Sequence, residues 1–448
     1  MDAFDVVVCG GGTAGAAAAI ASARVGASTL VIEQLGMLGG TQTGGWVTPL
    51  MPNYLGAHKL SRGLNLEILR EQTALQPAGD LEHGDDWYDP VALALVLDRL
   101  AIQAGVTCLF NATLIEVRTS GGISLGTRGR PRHEILDAVE IAARGGRRWI
   151  EGKCFIDATG DGELSALAGA ELMSGNAAGE HQPMTLRFAM GNLDLEALRE
   201  GAAEILRVNT ADYVEAGVFE AKEGVLGPRV NEAIEEGILA PDDLGYFQFF
   251  SVNGRPGELA FNAPRIAGLD PLDPFQMSRA YQVGRAKIFR IANFVRAKLP
   301  GCAQGYISAI APLMGIRESR RVVGDYVLTE DDHQSCRKFD DAVARNRYPV
   351  DIHLKEGADY RKFPPGEWHD IPYRSLVVRG LDNLWVAGRC LSADFVAQSA
   401  VRIQPVCRAT GEAAGIAAAL CAARGVGARE LPYGDLAARL DLSVPEGG

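Results

Sequence analysis

Three glycines in the segment VVVCGGGTAGAAAA, at positions 10, 12 and 15, and a glutamate at position 33 have the types and spacing to hold a dinucleotide. Gly10 permits a tight turn, Gly12 lets the backbone approach a pyrophosphate, and Gly15 lets a following helix lie close against a sheet. The N-terminus of that helix offers unpaired N–H groups and a partial positive charge to phosphate. Glu33, about twenty residues after the first glycine, stands where a carboxylate accepts hydrogen bonds from a ribose.

These residues need a strand, a helix and a second strand to position them. Val6, Val7, Val8 and Cys9 form an apolar run that reads as a buried parallel strand, the Ala-rich run to about Val25 reads as a helix, and STLVIE supplies a second strand ending in Glu33. Downstream, a helix is expected from Pro90, then strands over 107–110 and 114–119. The segment ILDAVEIAARGGRRWIEGKCFIDATGDG reads as two alternating strands around Gly145-Gly146 and a third apolar run ending near Asp161. Such an inserted antiparallel meander weighs against a plain nicotinamide dehydrogenase. From about Gly175 to Arg374 the texture is mixed α+β, with a hairpin around Asn253-Gly254 and a long amphipathic helix after Asp273. LDNLWVAGRC then reads as a strand ending in Gly388, and the last helix opens at IQPVC with Pro405 in its first turn.

Composition narrows the class. The chain has 448 residues, 47% hydrophobic and 22% charged, with a formal net charge of -12 and no dense run of Lys and Arg. Small-molecule binding is therefore expected rather than nucleic acid or an anionic membrane. The run GAAAAIASARVGASTLVI contains Arg24 and is explained by the glycine motif, so no membrane span is expected. No basic segment precedes the first strand, which points to the cytoplasm rather than export. The eight cysteines include no CxxC pair, so an iron–sulfur cluster, a zinc site and a dithiol motif are all disfavoured and no metal is expected.

Beyond the first motif, a second glycine-rich loop, GMLGGTQTGGWVTPLM (36–51), joins the segments FIDATGDGELSALAGA, QPMTLRF, MGIRESRRVVGDYVLTEDD, IPYRSLVVRGLDNLWVAGRCLSA and VRIQPVCRATGEAAG. On these segments the chain resembles the FAD-dependent oxidoreductases of the glutathione-reductase-type superfamily, and more narrowly a bacterial group of that name. The resemblance implies an α/β fold: a Rossmann-like FAD-binding domain with a parallel sheet and an inserted β-meander (1–175 and 375–448), plus an α+β substrate domain (176–374). FAD is the implied cofactor. Gly10, Gly12, Thr13, Ala14 and Gly15 would hold its pyrophosphate, and Glu33 with Gln34 the adenosine ribose. Gly39, Gly40 and Thr41 would lie along the diphosphate and ribityl chain, with Leu114 meeting the adenine. Ala158, Thr159 and Gly160 would close over the adenosine half, and Gly388 with Arg389 would touch the phosphate and ribityl region. The helix entered through Gln404, Pro405 and Val406 would aim its N-terminus at the flavin pyrimidine ring.

The expected reaction is transfer of a hydride from a small organic substrate to flavin; the alternative is a flavin-binding subunit or scaffold without independent turnover. Among the arginines Arg317, Arg320, Arg321, Arg374 and Arg402, Arg317 is the first candidate to bind a substrate carboxylate or stabilise anionic flavin, with Arg402 further on. His353, His369 and Tyr373 are candidates for proton transfer, and Gln182 and Thr185 for lining the pocket. No second GxGxxG follows a strand between Asp161 and Leu384, so an external acceptor such as oxygen, a quinone or a carrier protein is expected to reoxidise the flavin.

Overall fold

The computed structural model describes residues 2–76, 86–120, 122–124, 134–218, 221–353 and 358–444. The first elements are β1 (Asp2–Cys9), α1 (Thr13–Arg24) and β2 (Thr29–Glu33), followed by α2 (Pro90–Ala104), β3 (Thr107–Phe110), β4 (Thr113–Thr119), β5 (Leu136–Ala143) and β6 (Gly146–Asp157). Val6 to Cys9 have no exposed surface, because β1 lies between two parallel neighbours, with Cys9 opposite Ile32 on β2 and Asp157 on β6. This is the strand–helix–strand unit that the glycine spacing requires. Seven strands of the eight-stranded sheet run in the order β3, β2, β1, β6, β5, β4 and Gly122–Ser124, and the eighth, Leu384–Val386, pairs with β6.

One strand serves two parts of this sheet. The polar first half of β6 pairs antiparallel with β5, where Ala143 faces Gly146 across the turn. Its apolar second half leaves β5 and accepts the late strand Leu384–Val386 in parallel, Leu384 opposite Phe155 and Val386 opposite Asp157. The switch follows the sequence: GRRWIE suits a half-solvated meander, whereas CFID suits a strand covered on both faces.

A second, six-stranded sheet is built from β7 (Phe188–Gly191), β8 (Leu206–Asn209), β9 (Val214–Val218), β10 (Phe247–Ser251), β11 (Leu259–Phe261) and β12 (Tyr306–Ile310), in the order β8, β9, β10, β11, β7, β12. Its inner face is held by phenylalanines: Phe188 and Phe261 stack at 4.6 Å, and Phe247 meets Phe294 edge-on at 6.0 Å. Phe294 comes from α3 (Pro274–Lys298), whose first turn is fixed by Asp273 accepting from the N–H groups of Phe275 and Gln276. The short strand β13 (Val350–His353) and then β14 (Leu384–Val386) lead into α4 (Phe395–Val401) and α5 (Gln404–Arg424).

Helix α5 is long and apolar enough to cross a membrane, yet 83% of its most apolar stretch is buried within the protein, where it packs on α1. Contact between the two is backbone-close: a Cβ on Gly411 would run into the Ala14 carbonyl, and one on Gly415 into the Ala18 carbonyl. The Gly and Ala content of α5 is thus explained by a helix partner inside the core.

Candidate functional site

The residues that follow the carboxyl ends of four parallel strands meet at one cavity of about 1070 Å³: Gly10 after β1, Gln34 after β2, Ala158 after β6, and Ala387 with Gly388 after β14. Open α/β sheets bind ligands at this edge. Its lining includes Gly12, Thr13, Ala14, Glu33, Leu114, Gly40, Thr41, Thr159, Gly160, Arg389 and Gln404. Gly15 and Gly39 support this wall without lining it: a Cβ on Gly15 would strike the Gly10 carbonyl, and the Gly39 N–H donates to Gly11 O at 2.8 Å. Pro405 and Val406 also stand back from the cavity; Val406 has no exposed surface.

The space at Gly12 tests whether a dinucleotide fits. Its φ of -67° suits any L-residue, and a Cβ there would find no protein atom nearer than Gly40 Cα at 4.0 Å. Neither backbone conformation nor packing within the protein demands glycine, so the room is room for a ligand. By contrast Gly10, at φ +92°, is required by the turn itself, since its Cβ would lie 2.5 Å from Ala158 O. Thr13 ties the two glycine-rich loops, donating from Oγ1 to Gly39 O at 3.2 Å with Thr41 Oγ1 at 3.4 Å. Glu33 is buried and accepts from Gly11 N–H and Leu35 N–H, each at 2.7 Å. Burial outweighs these bonds and raises its carboxyl above the ordinary range. Its two oxygens retain lone pairs beyond these bonds.

The turn after β6 is shaped by Asp157, which takes N–H and hydroxyl donors from Thr159 and from Ser165 at 2.7 to 3.1 Å. Arg389 is pinned over this turn by Asp161 at 2.8 Å and Ser319 Oγ at 2.9 Å. Beside it, burial and the nearby Asp161 and Asp157 push the Glu163 carboxyl up to about 7. Gln404, in the first turn of α5, accepts from Met51 N–H at 3.2 Å and donates to Val47 O at 3.2 Å, locking the second glycine-rich loop onto that helix end.

The cavity is also walled by Arg187, Arg265, Arg317 and Arg402 together with Tyr246 and Asp351. Arg317 donates from Nη1 to Pro183 O at 2.5 Å and Thr185 Oγ1 at 2.8 Å. Arg187 donates from Nη1 to Trp46 O at 3.3 Å and Thr48 O at 3.1 Å, which sets it on the second glycine-rich loop. Arg402 reaches Asp351 at 3.4 Å, and Arg265 lies over the Tyr246 ring at 4.3 Å. Burial raises the Asp351 carboxyl, but His353, Arg402 and Arg317 outweigh it and hold it well below the usual range, so it is ionised.

Several candidates lie elsewhere or are otherwise engaged. His353 lines the cavity, but its Nδ1 accepts from Arg265 Nη2 at 2.6 Å and its Nε2 faces Asp351 at 3.3 Å. Burial and then Arg317 push its imidazole down to about 3, leaving a neutral ring with both nitrogens occupied rather than a general base. Tyr373 is not at this cavity. Its hydroxyl donates to Ala428 O at 3.0 Å and accepts from Trp385 Nε1 at 2.9 Å, deep under the C-terminal segment. His369 is wholly buried between Asn346 and Asp370 O, Arg374 pairs with Asp341, and Arg321 pairs with Glu318. Arg320, on a short strand, also stands outside the cavity lining, as does Gln182, whereas Thr185 lines it.

Arg187, Arg265, Tyr246 and Asp351 were not among the expected residues. A signal for one of them exists: in VDIH (350–353), Asp351 alternates with apolar residues and so shares one face of a strand with the expected His353.

A family model described as FAD dependent oxidoreductase matches residues 5–440. Comparison with curated protein sequences gives no match. Among solved structures, a geranylgeranyl bacteriochlorophyll reductase-like protein from Thermoplasma acidophilum is 15% identical, with 98% of this chain and 82% of that chain covered and a TM-score of 0.45. The p-nitrophenol 4-monooxygenase PnpA from Pseudomonas putida DLL-E4 is 11% identical, with 98% and 84% covered and a TM-score of 0.46. A family match over residues 5–440, on a chain whose parallel strands end at a glycine-lined cavity with room left at Gly12, places this protein in the FAD-dependent oxidoreductase family, an enzyme with FAD as its cofactor.

Proposed function

We propose that this enzyme takes a hydride from a small organic substrate onto FAD, on a scaffold of the glutathione-reductase type. The observation that carries this reading is the continuity of the cavity, from the glycine cradle at Gly12 to the arginine-walled chamber around Arg317. Bound FAD would supply a two-electron acceptor for a carbon-bound hydride, the substrate losing in addition a proton from O–H or N–H. The chain's own residues bind and orient. Gly12, Thr13, Ala14 and the N-terminus of α1 would hold the pyrophosphate, while Glu33 and Gln34 would take the ribose and Leu114 would meet the adenine. Thr41, Gly388 and Arg389 would follow the chain between phosphate and ring, and Gly160 would close over the adenosine half. Gln404 fixes the loop Val47–Met51 to the N-terminus of α5, which would favour negative charge on a reduced flavin ring held there.

In this reading residues 1–175 with 375–448 form the cofactor domain and 176–374 the substrate domain; the eight-stranded sheet draws its strands from the first set and the six-stranded sheet from the second. The electrons leave to an external acceptor, oxygen, a quinone or a carrier protein. The test is anaerobic stopped-flow reduction. Small hydroxy and amino acids are screened for bleaching of the bound flavin beside NADH and NADPH. Bleaching by a small organic compound at rates that support turnover is expected, with none by the nicotinamides; rapid reduction by NADH or NADPH alone contradicts the reading.

A further inference from the structure

We infer that the chamber formed by Arg187, Arg265, Arg317 and Arg402 binds the carboxylate of a small organic acid, and that such an acid is the substrate class, an inference resting on the flavoenzyme reading above. Each guanidinium is anchored by one nitrogen and keeps others unused. Arg187 and Arg317 spend only Nη1, on protein acceptors, and their remaining nitrogens have no acceptor among the described residues. Arg265 and Arg402 spend Nη2, on His353 and Asp351, and the Nε of each is buried without a partner. An unpaired buried N–H is costly to leave, and the two orphaned Nε groups, with the unbonded nitrogens of Arg187 and Arg317 at the same cavity, form a donor set that lacks its acceptor.

Charge points the same way. Among the described residues, the only carboxylate bonded to any of the four is Asp351, on Arg402. Burial, and then the nearness of Arg402 and Arg265, lowers Arg317 from its ordinary range to about 9, as expected for like charges crowded together in a poorly solvated place. A bound anion relieves that crowding. On Arg187 and Arg317 the Nε–Nη2 edge stays open, a planar fork of the shape that grips a carboxylate through two parallel hydrogen bonds. A carboxylate also sits directly on the carbon skeleton, one bond from an oxidisable C–H, whereas a phosphate ester interposes an oxygen. Arg187 hangs from Trp46 O and Thr48 O, so an acid held there lies against the second glycine-rich loop, beside the place assigned to the flavin ring.

The test titrates malonate, its neutral diamide and inorganic phosphate into the FAD-loaded protein, reading binding heat and flavin absorbance. Malonate is expected to bind and to perturb the flavin spectrum, the diamide to do neither, and phosphate to bind at least tenfold more weakly. Arg317→Met and Arg402→Gln should each weaken malonate at least tenfold at an unchanged ratio of FAD to protein, and Arg265→Lys, which keeps charge but loses the planar guanidinium, should fall between. Because Arg317 is deeply buried, its variant is read only if folded; Arg402→Gln, at a partly exposed side chain, carries the test otherwise. Absence of malonate binding overturns the proposal, as does equal binding by the variants. Phosphate binding more tightly than malonate overturns the carboxylate assignment, and displacement of FAD by malonate would make the chamber part of the cofactor's phosphate site. Protein that carries no FAD would contradict the flavoenzyme reading instead, while the same calorimetry on that protein still decides the anion site.

Discussion

Replacing Gly12 with alanine separates a ligand's need for space from the protein's own. The structure predicts almost no cost to folding. At φ -67° alanine is unstrained, and its Cβ meets only Gly40 Cα at 4.0 Å, an ordinary contact. Alanine is a poorer N-cap than glycine by about 0.5 to 1 kcal/mol. Against that, it restricts the unfolded chain and recovers about 0.4 to 1 kcal/mol. The net change should lie within about 1 kcal/mol. Binding should suffer much more. The added methyl stands about 1.5 Å from Cα, in the space a phosphate oxygen must enter to reach N–H groups at about 2.9 Å. Losing one charge-assisted hydrogen bond costs about 1.5 to 3 kcal/mol, or roughly ten- to hundredfold in affinity. The assay pairs FAD dissociation constants, from flavin fluorescence on refilling apoprotein, with thermal melts of the same apoprotein. An unchanged affinity in a folded Gly12→Ala variant would refute the placement of the pyrophosphate, and loss of fold would refute the claim that the protein leaves this space free.

Three further outcomes are expected. Gly415→Ala should lower the apoprotein melting temperature by the equivalent of about 1 to 3 kcal/mol of overpacking, because its methyl meets the Ala18 carbonyl; Gly434→Ala, with open space around it, is the control and should melt like the parent. Burial raises Glu412 from 4.5 to about 7, so the native state holds its proton more tightly than the unfolded chain; its contribution is full below about pH 4.5 and falls as pH rises to about 7. Glu412→Gln should therefore stabilise the protein at pH 8 by up to about 3 kcal/mol and change little at pH 4.5, and melts showing the same difference at both pH values would contradict this. Because His353 is held down to about 3, substrate-driven flavin reduction should show no step from an imidazole between pH 5 and 8 that His353→Gln removes; stopped-flow pH profiles of parent and variant decide it.

The cofactor end of the cavity was legible because its signals are local. Gly10, Gly12, Gly15 and Glu33 sit in one strand–helix–strand unit, where chain spacing and spatial spacing are nearly the same thing. Helix starts at Pro90 and Pro274 were similarly written in a capping Asp followed by Pro, and the start at Gln404 in Pro405. The chamber was not legible in the same way. Arg187, Arg265, Arg317 and Arg402 come from four separated segments, and only the packing of the second sheet against the glycine-rich loops decides that they converge while Arg321 and Arg374 turn to Glu318 and Asp341. Tyr373 shows the limit most plainly: its place just before the return strand suggested the cavity, but its hydroxyl closes a hydrogen-bond chain from Trp385 to Ala428 outside the cavity lining. Where a side chain's partner lies more than fifty residues away, residue type alone does not say which face it takes.

The most direct test of the account is a crystal structure of the protein purified with its flavin. It should show FAD with its pyrophosphate on the N–H groups after Gly12, its ribose on Glu33, and its ring between the Gln404 end of α5 and the four arginines. A pyrophosphate lodged among Arg187, Arg265, Arg317 and Arg402, or a flavin bound away from the Gly12 cradle, would contradict it.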